Sequence, residues 1–327
     1  MSSLKTIPLT EEEDERLRKL YKAHRDHGQR YVRTVPGNQI LAYTFEKYKD
    51  GFANFSVRSD DVFVFGWPKN GSVWLSEMVW CIRNKCNFAA AKSVPAQFRF
   101  PFIDFVFMAE AFKNLLPLEE YTNILKQVNK MESPRTIRSH LCFDVMPEDM
   151  LEKSKVFIVI RNPKDTIVSY YHHERLLKLF DFTGDFAAYF DNFMNGHVAW
   201  GPYWEYTKEA WKRRNHPNVC VLFYEEMKRD LKSCIGKVAD FLQIQLSKEE
   251  ERQLEEHLSF GSMKVNPSVN LEAFRDIIFN DIEGGGFIRK GEVGDWKNYF
   301  TEDMNKRIDE AVAEHFDGLG LTFTYEL

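Results

Sequence analysis

Apolar residues gather in three short unbroken runs: Val62–Phe65 (VFVF), Val156–Ile160 (VFIVI) and Val219–Phe223 (VCVLF). None alternates with polar residues, so each reads as a strand covered on both faces of a sheet. Elsewhere the period changes. Leu75, Met78, Val79 and Ile82 recur at helical spacing on one face. Similar patterns predict helices over 118–132, 185–194, 202–214, 227–242, 247–258 and 302–316. A shorter strand is expected within 134–141, delivering His140 at its end, and edge-strand structure within 29–58 around the turn Val35-Pro36-Gly37-Asn38. Apolar strands alternating with helices predict an α/β fold: a central parallel sheet flanked by helices, with ligands at the carboxyl ends of the strands. No repeat, low-complexity tract or clean linker divides the chain, so residues 1–327 read as a single domain. Residues 1–20 read as a mobile polar arm ending in a short helix. The stretch 261–290, with Asn266-Pro267 and Gly284 to Gly286, is a candidate lid loop.

The residues that follow each strand carry the chemistry. Trp67-Pro68 stops the first strand, because proline has no amide hydrogen for the ladder. Lys69-Asn70-Gly71-Ser72 then leads into a helix. Strand, short polar turn and helix together make the build of an anion cradle. Backbone N–H groups point outward at the helix start, Lys69 adds charge, Ser72 adds a hydroxyl and Gly71 allows close approach. The GxxxxGKS/T pattern of a Walker loop is absent, and a solvated turn accounts for this window alone equally well. The second strand ends in Arg161-Asn162-Pro163, where Asn162 suits an N-cap and Pro163 the first helical position. Arg161 is thereby held at a strand tip, with Ser169 further along the helix. The third strand runs into Tyr224-Glu225-Glu226, and Arg289-Lys290-Gly291 forms a second basic cluster. Phe98, Phe100, Phe102 and Phe105 crowd one stretch, which reads equally as packing under a loop or as an apolar acceptor pocket. A lone histidine such as His140 is more often structural than catalytic.

Composition narrows the partners. A net charge of -5 and a pI near 6.0 argue against general nucleic-acid binding, so an anionic ligand needs a local cluster of Lys and Arg. The five cysteines are scattered without a CxxC pair, which argues for a reducing compartment and against a disulfide framework or a zinc site. An acidic run from Glu11 to Glu15 stands where a signal peptide would be basic and then apolar, and no stretch reaches membrane-spanning length. A cytoplasmic chain with no membrane partner is expected.

Five segments together are more specific. WPKNGSVW (67–74), IRSHL (137–141), VIRNPKDTIVSYYHH (159–173), LFYEEMK (222–228) and FIRKGEVGDWKNYFT (287–301) resemble the cytosolic sulfotransferases, most closely the insect enzymes of the retinol dehydratase type. The resemblance implies a P-loop-kinase-like nucleotide-binding core that takes 3′-phosphoadenosine-5′-phosphosulfate (PAPS) and releases 3′,5′-adenosine bisphosphate (PAP), with no metal. It assigns the 5′-phosphosulfate to Lys69, Asn70, Gly71, Ser72, Val73 and Trp74. The 3′-phosphate falls to Arg161, Ser169, Arg289, Lys290 and Gly291, and the adenine to Tyr224, Leu258, Ser259, Phe260 and Met263 beside Trp74. His140 matches the family's base, with Lys69, Arg138 and Ser169 completing the catalytic group. Phe98, Phe100, Phe102, Phe105, Tyr171 and His140 would line the pocket for a small hydrophobic hydroxyl-bearing acceptor.

The departures from the family pattern are specific. KNGSVW stands for the usual KSGTTW, Arg138 for a lysine and Leu258 for a threonine. Glu302 and Lys306 break the dimer motif KxxxTVxxxE, so at most a weak homodimer is expected. Three alternatives stay open: a dehydratase acting through a transient sulfate ester, a P-loop kinase, and a non-catalytic carrier of PAPS or a hydrophobic ligand. Arg161 stands where a kinase would want a metal-binding acid.

Overall fold

The three apolar runs are neighbouring strands of one parallel sheet. The computed structural model describes residues 4–27, 30–112, 123–282 and 285–327. Within them β1 (Lys5–Pro8), β2 (Tyr31–Val35) and β3 (Ile40–Ala42) form a small antiparallel sheet in that order. The strands β4 (Val62–Gly66), β5 (Thr136–Ser139), β6 (Lys155–Ile160) and β7 (Val219–Phe223) form the parallel sheet, ordered β5-β4-β6-β7. Its register pairs Phe65 with Ser139 and with Ile158, and Ile160 with Phe223. The strands therefore end together, and Trp67, His140, Arg161 and Tyr224 all leave the same edge.

Every residue of β4 is buried, which is why its sequence shows no alternation. Successive side chains serve two cores. Phe63, Phe65, Ile158 and Ile160 join one apolar cluster, while Val62, Val64, Phe157 and Val159 join the other. Leu75, Met78, Val79 and Ile82 of the helix Ser72–Arg83 cover the second face, with Ile235 and Val238 of the helix Leu231–Leu242. Each such side chain, fully buried, contributes on the order of 1.5–3 kcal/mol. The helices Pro163–Leu176, Phe186–Met194 and Tyr203–Lys212 pack on the first face through Ile167, Tyr189 and Tyr203.

Local chemistry sets most boundaries where the sequence puts them. Asn162 accepts from the Asp165 amide at 2.8 Å and Pro163 opens the helix. Ser247 and Glu250 make a capping box. Two expectations need correction. The opening segment is not a loose arm: β1 pairs with β2, and Glu11–Leu20 is a helix capped by Thr10 that buries Leu17, while residues 1–3 lie outside the described chain. The helix expected over 227–242 is two, Tyr224–Arg229 and Leu231–Leu242, because Asp230 leaves helical geometry (φ -146°) to cap the second at Ser233. The one expected over 118–132 is described as Ile124–Lys130, with 118–122 outside the described residues. Within 261–290, short helical pieces run at Phe260–Val265, Glu272–Phe274 and Arg275–Ile278, and Gly284 also lies outside. Among the described residues no helix is long and apolar enough to cross a membrane.

Candidate active site

Beyond the carboxyl edge of the sheet lies a cavity of about 310 Å³. Its lining divides by chemistry. Lys69, Arg138, Arg161, Arg289 and Lys290 supply cations, while Phe102, Phe105, Met108, Leu177, Leu179, Trp200, Leu271, Phe274, Ile278 and Phe287 supply apolar surface. Glu292 is the one acidic residue among the described lining.

The turn after β4 is built from left-handed backbone, with Lys69 at φ 66° and Gly71 at φ 102°. A Cβ on Gly71 would stand 2.8 Å from the Tyr224 ring, so only glycine fits. Gly71, Ser72, Val73 and Trp74 line the cavity. Asn70 does not: it is buried, and its side-chain oxygen accepts from Thr166 Oγ1 at 3.0 Å, tying the turn to the helix Pro163–Leu176. Ser169, on that helix, faces the cavity.

The cations are short of counter-charge. Lys69 Nζ donates to the Phe287 carbonyl at 3.0 Å and lies 4.2 Å over that ring. Burial, with Arg161, Arg289 and Arg138 nearby, draws its pKa down to about 7. Arg161 donates to the carbonyls of Lys69 (3.3 Å) and Glu292 (3.0 Å) and lies 4.2 Å over the Tyr224 ring. Arg138 sits 4.3 Å over Phe102, and burial draws it down to about 10. The Nε atoms of both arginines are buried with no partner among the described residues. Asp295 is already engaged by Arg289 at 2.5 Å and Lys290 at 2.6 Å. Buried cations and orphaned donors of this kind are satisfied by an anionic ligand.

His140 is held by what surrounds it. Its Nδ1 donates to the Gly66 carbonyl at 2.5 Å, leaving Nε2 as the lone-pair nitrogen. Burial, then Arg138 and Lys69, push its pKa well below the ordinary histidine range, so the ring is neutral at pH 7. Its main-chain N–H donates to Asp104 at 2.9 Å, and Asp104 also accepts from Ser139 Oγ (2.5 Å) and Trp200 Nε1 (2.9 Å). Burial raises that carboxyl to about 6. Sequence reasoning passed over Asp104, whose one signal is an acid inside the phenylalanine-rich run.

Aromatic residues gather beside the cations. Trp74 donates through Nε1 to the Leu258 carbonyl at 2.9 Å and meets Tyr224 edge-on at 5.7 Å. Leu258, Phe260 and Met263 line the same cavity, and Gly291 (φ 66°) lets the chain pass against Phe260, where a Cβ would approach to 2.3 Å.

Four further expected residues stand apart from the cavity lining. Phe98 lies on the short helix Ala96–Arg99 and is exposed, and Phe100 is buried in the core beneath Ser72–Arg83. Tyr171 packs on Phe182, Phe186 and Tyr189. Ser259 caps the helix Phe260–Val265. In their place the apolar wall uses Met108, Leu177, Leu179, Trp200, Leu271, Phe274, Ile278 and Phe287. These carry no sequence signal that separates a pocket wall from core. Away from the cavity, Glu77, Cys81 and His257 form one buried cluster of potential metal ligands, but Arg99 and His257 already hold Glu77 at 2.8 Å each.

The sulfotransferase domain model matches residues 59–320. Luciferin sulfotransferase of Photinus pyralis is 34% identical over 303 residues, covering 88% of this chain and 80% of that protein. Sulfotransferase 1E1 of Bos taurus is 33% identical over 283 residues, covering 85% of this chain and 92% of its own. Among solved structures, retinol dehydratase in complex with retinol and PAP superposes with a TM-score of 0.89 at 32% identity, covering 98% of this chain and 99% of that one. Retinol dehydratase with androsterone and PAP gives 0.88 at 31% identity, covering 98% of each chain.

Proposed function

The chain belongs to the sulfotransferase family, and from that premise we propose that it transfers the sulfuryl group of PAPS to the hydroxyl of a small apolar alcohol or phenol. One observation carries the reading: buried cations with unpartnered donors line the same cavity as a neutral, oriented imidazole and an apolar wall.

The residues present fit the nucleotide. Orphaned Nε atoms on Arg138 and Arg161 and the close-approach glycine at 71 suit an anion. Lys69, Gly71, Ser72, Val73 and Trp74 would hold the 5′ group, with Asn70 bracing the turn. Arg161, Ser169, Arg289, Lys290 and Gly291 would hold the 3′-phosphate, and Trp74, Tyr224, Leu258, Phe260 and Met263 the adenine. When bound, PAPS supplies the activated sulfuryl group. His140 Nε2 takes the proton of the acceptor hydroxyl, and the Gly66 carbonyl steadies the imidazolium that results. Lys69, returned to its ammonium form by a neighbouring anion, offsets negative charge as it develops. Arg138 adds to the same field. We read 261–290 as a lid, whose Leu271, Phe274, Ile278 and Phe287 would keep water from the reacting groups.

The apolar lining favours uncharged acceptors over protonated amines. Five buried cysteines, none of them in a disulfide, support a reducing, cytoplasmic location. A dehydratase reading is favoured by the likeness to retinol dehydratase along nearly the whole of both chains. Product analysis with an allylic alcohol separates the two readings, since sulfate ester and dehydrated hydrocarbon differ in mass. The nucleotide assignment is tested by thermal shift: PAP should raise the melting temperature by mass action and AMP far less. Equal stabilisation by both would sink it.

A further inference from the structure

Of the three histidines on the described cavity lining, His172 is held by Tyr299 at 2.8 Å, while His140 and His173 have contrasting hydrogen-bonding arrangements and the chemistry above uses only His140. His173 lies on the helix Pro163–Leu176 and lines the cavity. Its ring stacks on Tyr170 at 5.9 Å and meets Phe287 edge-on at 5.7 Å. Its Nδ1 is buried and has no hydrogen-bond partner among the described residues. Nε2 is not closed off in this way, so the ring opens to the cavity through that nitrogen.

A neutral imidazole carries its proton on one nitrogen or the other. On Nδ1 the proton would be a buried donor with no acceptor, the kind of orphan that folded proteins avoid most strongly. On Nε2 it faces the cavity, where a ligand can accept it. Burial, together with Lys69, His140 and Arg138, holds the ring neutral. His140 is arranged the opposite way, because its Nδ1–H is spent on the Gly66 carbonyl. The cavity is therefore offered a lone pair by His140 and an N–H by His173. A hydroxyl matches both, being one donor with two lone pairs.

We propose that His173 is a positioning and specificity residue for the acceptor, donating from Nε2–H to an oxygen of the acceptor and so turning its hydroxyl hydrogen toward His140. The inference rests on the reading of this cavity as the acceptor site. It adds a hydrogen-bond donor beside the apolar wall, and it selects molecules whose oxygen can accept a hydrogen bond.

The test uses the full chain, PAPS and 2-naphthol. His173→Phe keeps an aromatic ring and removes the donor, while His173→Gln retains an N–H. The phenylalanine variant should raise the KM for 2-naphthol about tenfold, with a smaller fall in kcat, and the glutamine variant should recover most of that loss. Calorimetric PAP affinity should stay within about twofold of wild type in both, since the ring faces the acceptor. Nitrogen-15 spectra of the imidazoles should find His173 protonated on Nε2 and His140 on Nδ1. A wild type that binds no PAP overturns the functional reading and this one with it. A wild type that binds PAP, beside a phenylalanine variant with unchanged KM or a His173 protonated on Nδ1, overturns the role of His173 alone.

Discussion

At Lys69, burial and three neighbouring guanidinium groups leave the ligand-free amine mostly neutral at pH 8, since its pKa falls to about 7. In the unfolded chain it returns to 10.5. Between those values the unfolded state binds more protons, so this residue makes stability rise with pH across that window and contributes nothing to the slope below it. An anion favours the ammonium. PAP binding at pH 8 should therefore take up close to one proton, read from calorimetry in buffers of different ionisation enthalpy, and Lys69→Met should remove that uptake. His140 and Arg161 divide the work differently. His140→Ala should lower single-turnover rates by roughly two orders of magnitude or more while leaving PAP affinity nearly intact. Arg161→Ala should weaken PAP by a few kcal/mol, as when a charged partner is removed. Near-normal turnover in His140→Ala would return that histidine to a structural role.

The elements matter through their ends. The proposed cradle takes its shape because β4 stops at Gly66 and the helix starts at Ser72, with two left-handed residues, Lys69 and Gly71, turning the chain between them. Gly71→Ala would demand φ 102° of an alanine and drive its Cβ into Tyr224. The strain is of order 1–3 kcal/mol, and because Tyr224 lines the cavity, PAP affinity should fall along with the melting temperature. An unchanged PAP dissociation constant would remove this turn from the nucleotide site. The second break, at Asp230, matters less to the chemistry: it redirects the helix that covers the sheet, whose apolar face is unaltered.

Across the whole molecule, the positions of the altered dimer motif have partners within the chain. Lys297 pairs with Glu326 at 2.7 Å, and Thr301 caps the helix Glu302–Phe316 by accepting from the Met304 amide. Sedimentation should find weak association at most, indifferent to Lys297→Ala. Thr301→Ala should cost about 1 kcal/mol of stability through the lost cap without changing association. A tight dimer abolished by either change would contradict this. Glu292 is the single acidic residue among the described lining of the cavity, which predicts that transfer survives chelator treatment. Complete loss restored by magnesium would favour a kinase.

What the sequence determined by itself is what neighbours along the chain decide. Unbroken apolar runs meant strands buried on both faces, and Asn162-Pro163 and Ser247 marked helix starts because capping is a contact across three residues. The segments Lys69–Trp74, Arg161 and Tyr224 could be placed at one edge because each follows a strand, and parallel strands in register must end together. The tertiary structure alone decided which side chains that edge gathers. Phe98, Phe100 and Tyr171 have the same composition as a pocket wall, yet helix rotation and sheet face send them to solvent or core. Asp104 meets Trp200 across 96 residues, and Lys69 meets the Phe287 carbonyl across 218. Contacts of that span depend on how the chain closes on itself, which no local pattern of residues encodes.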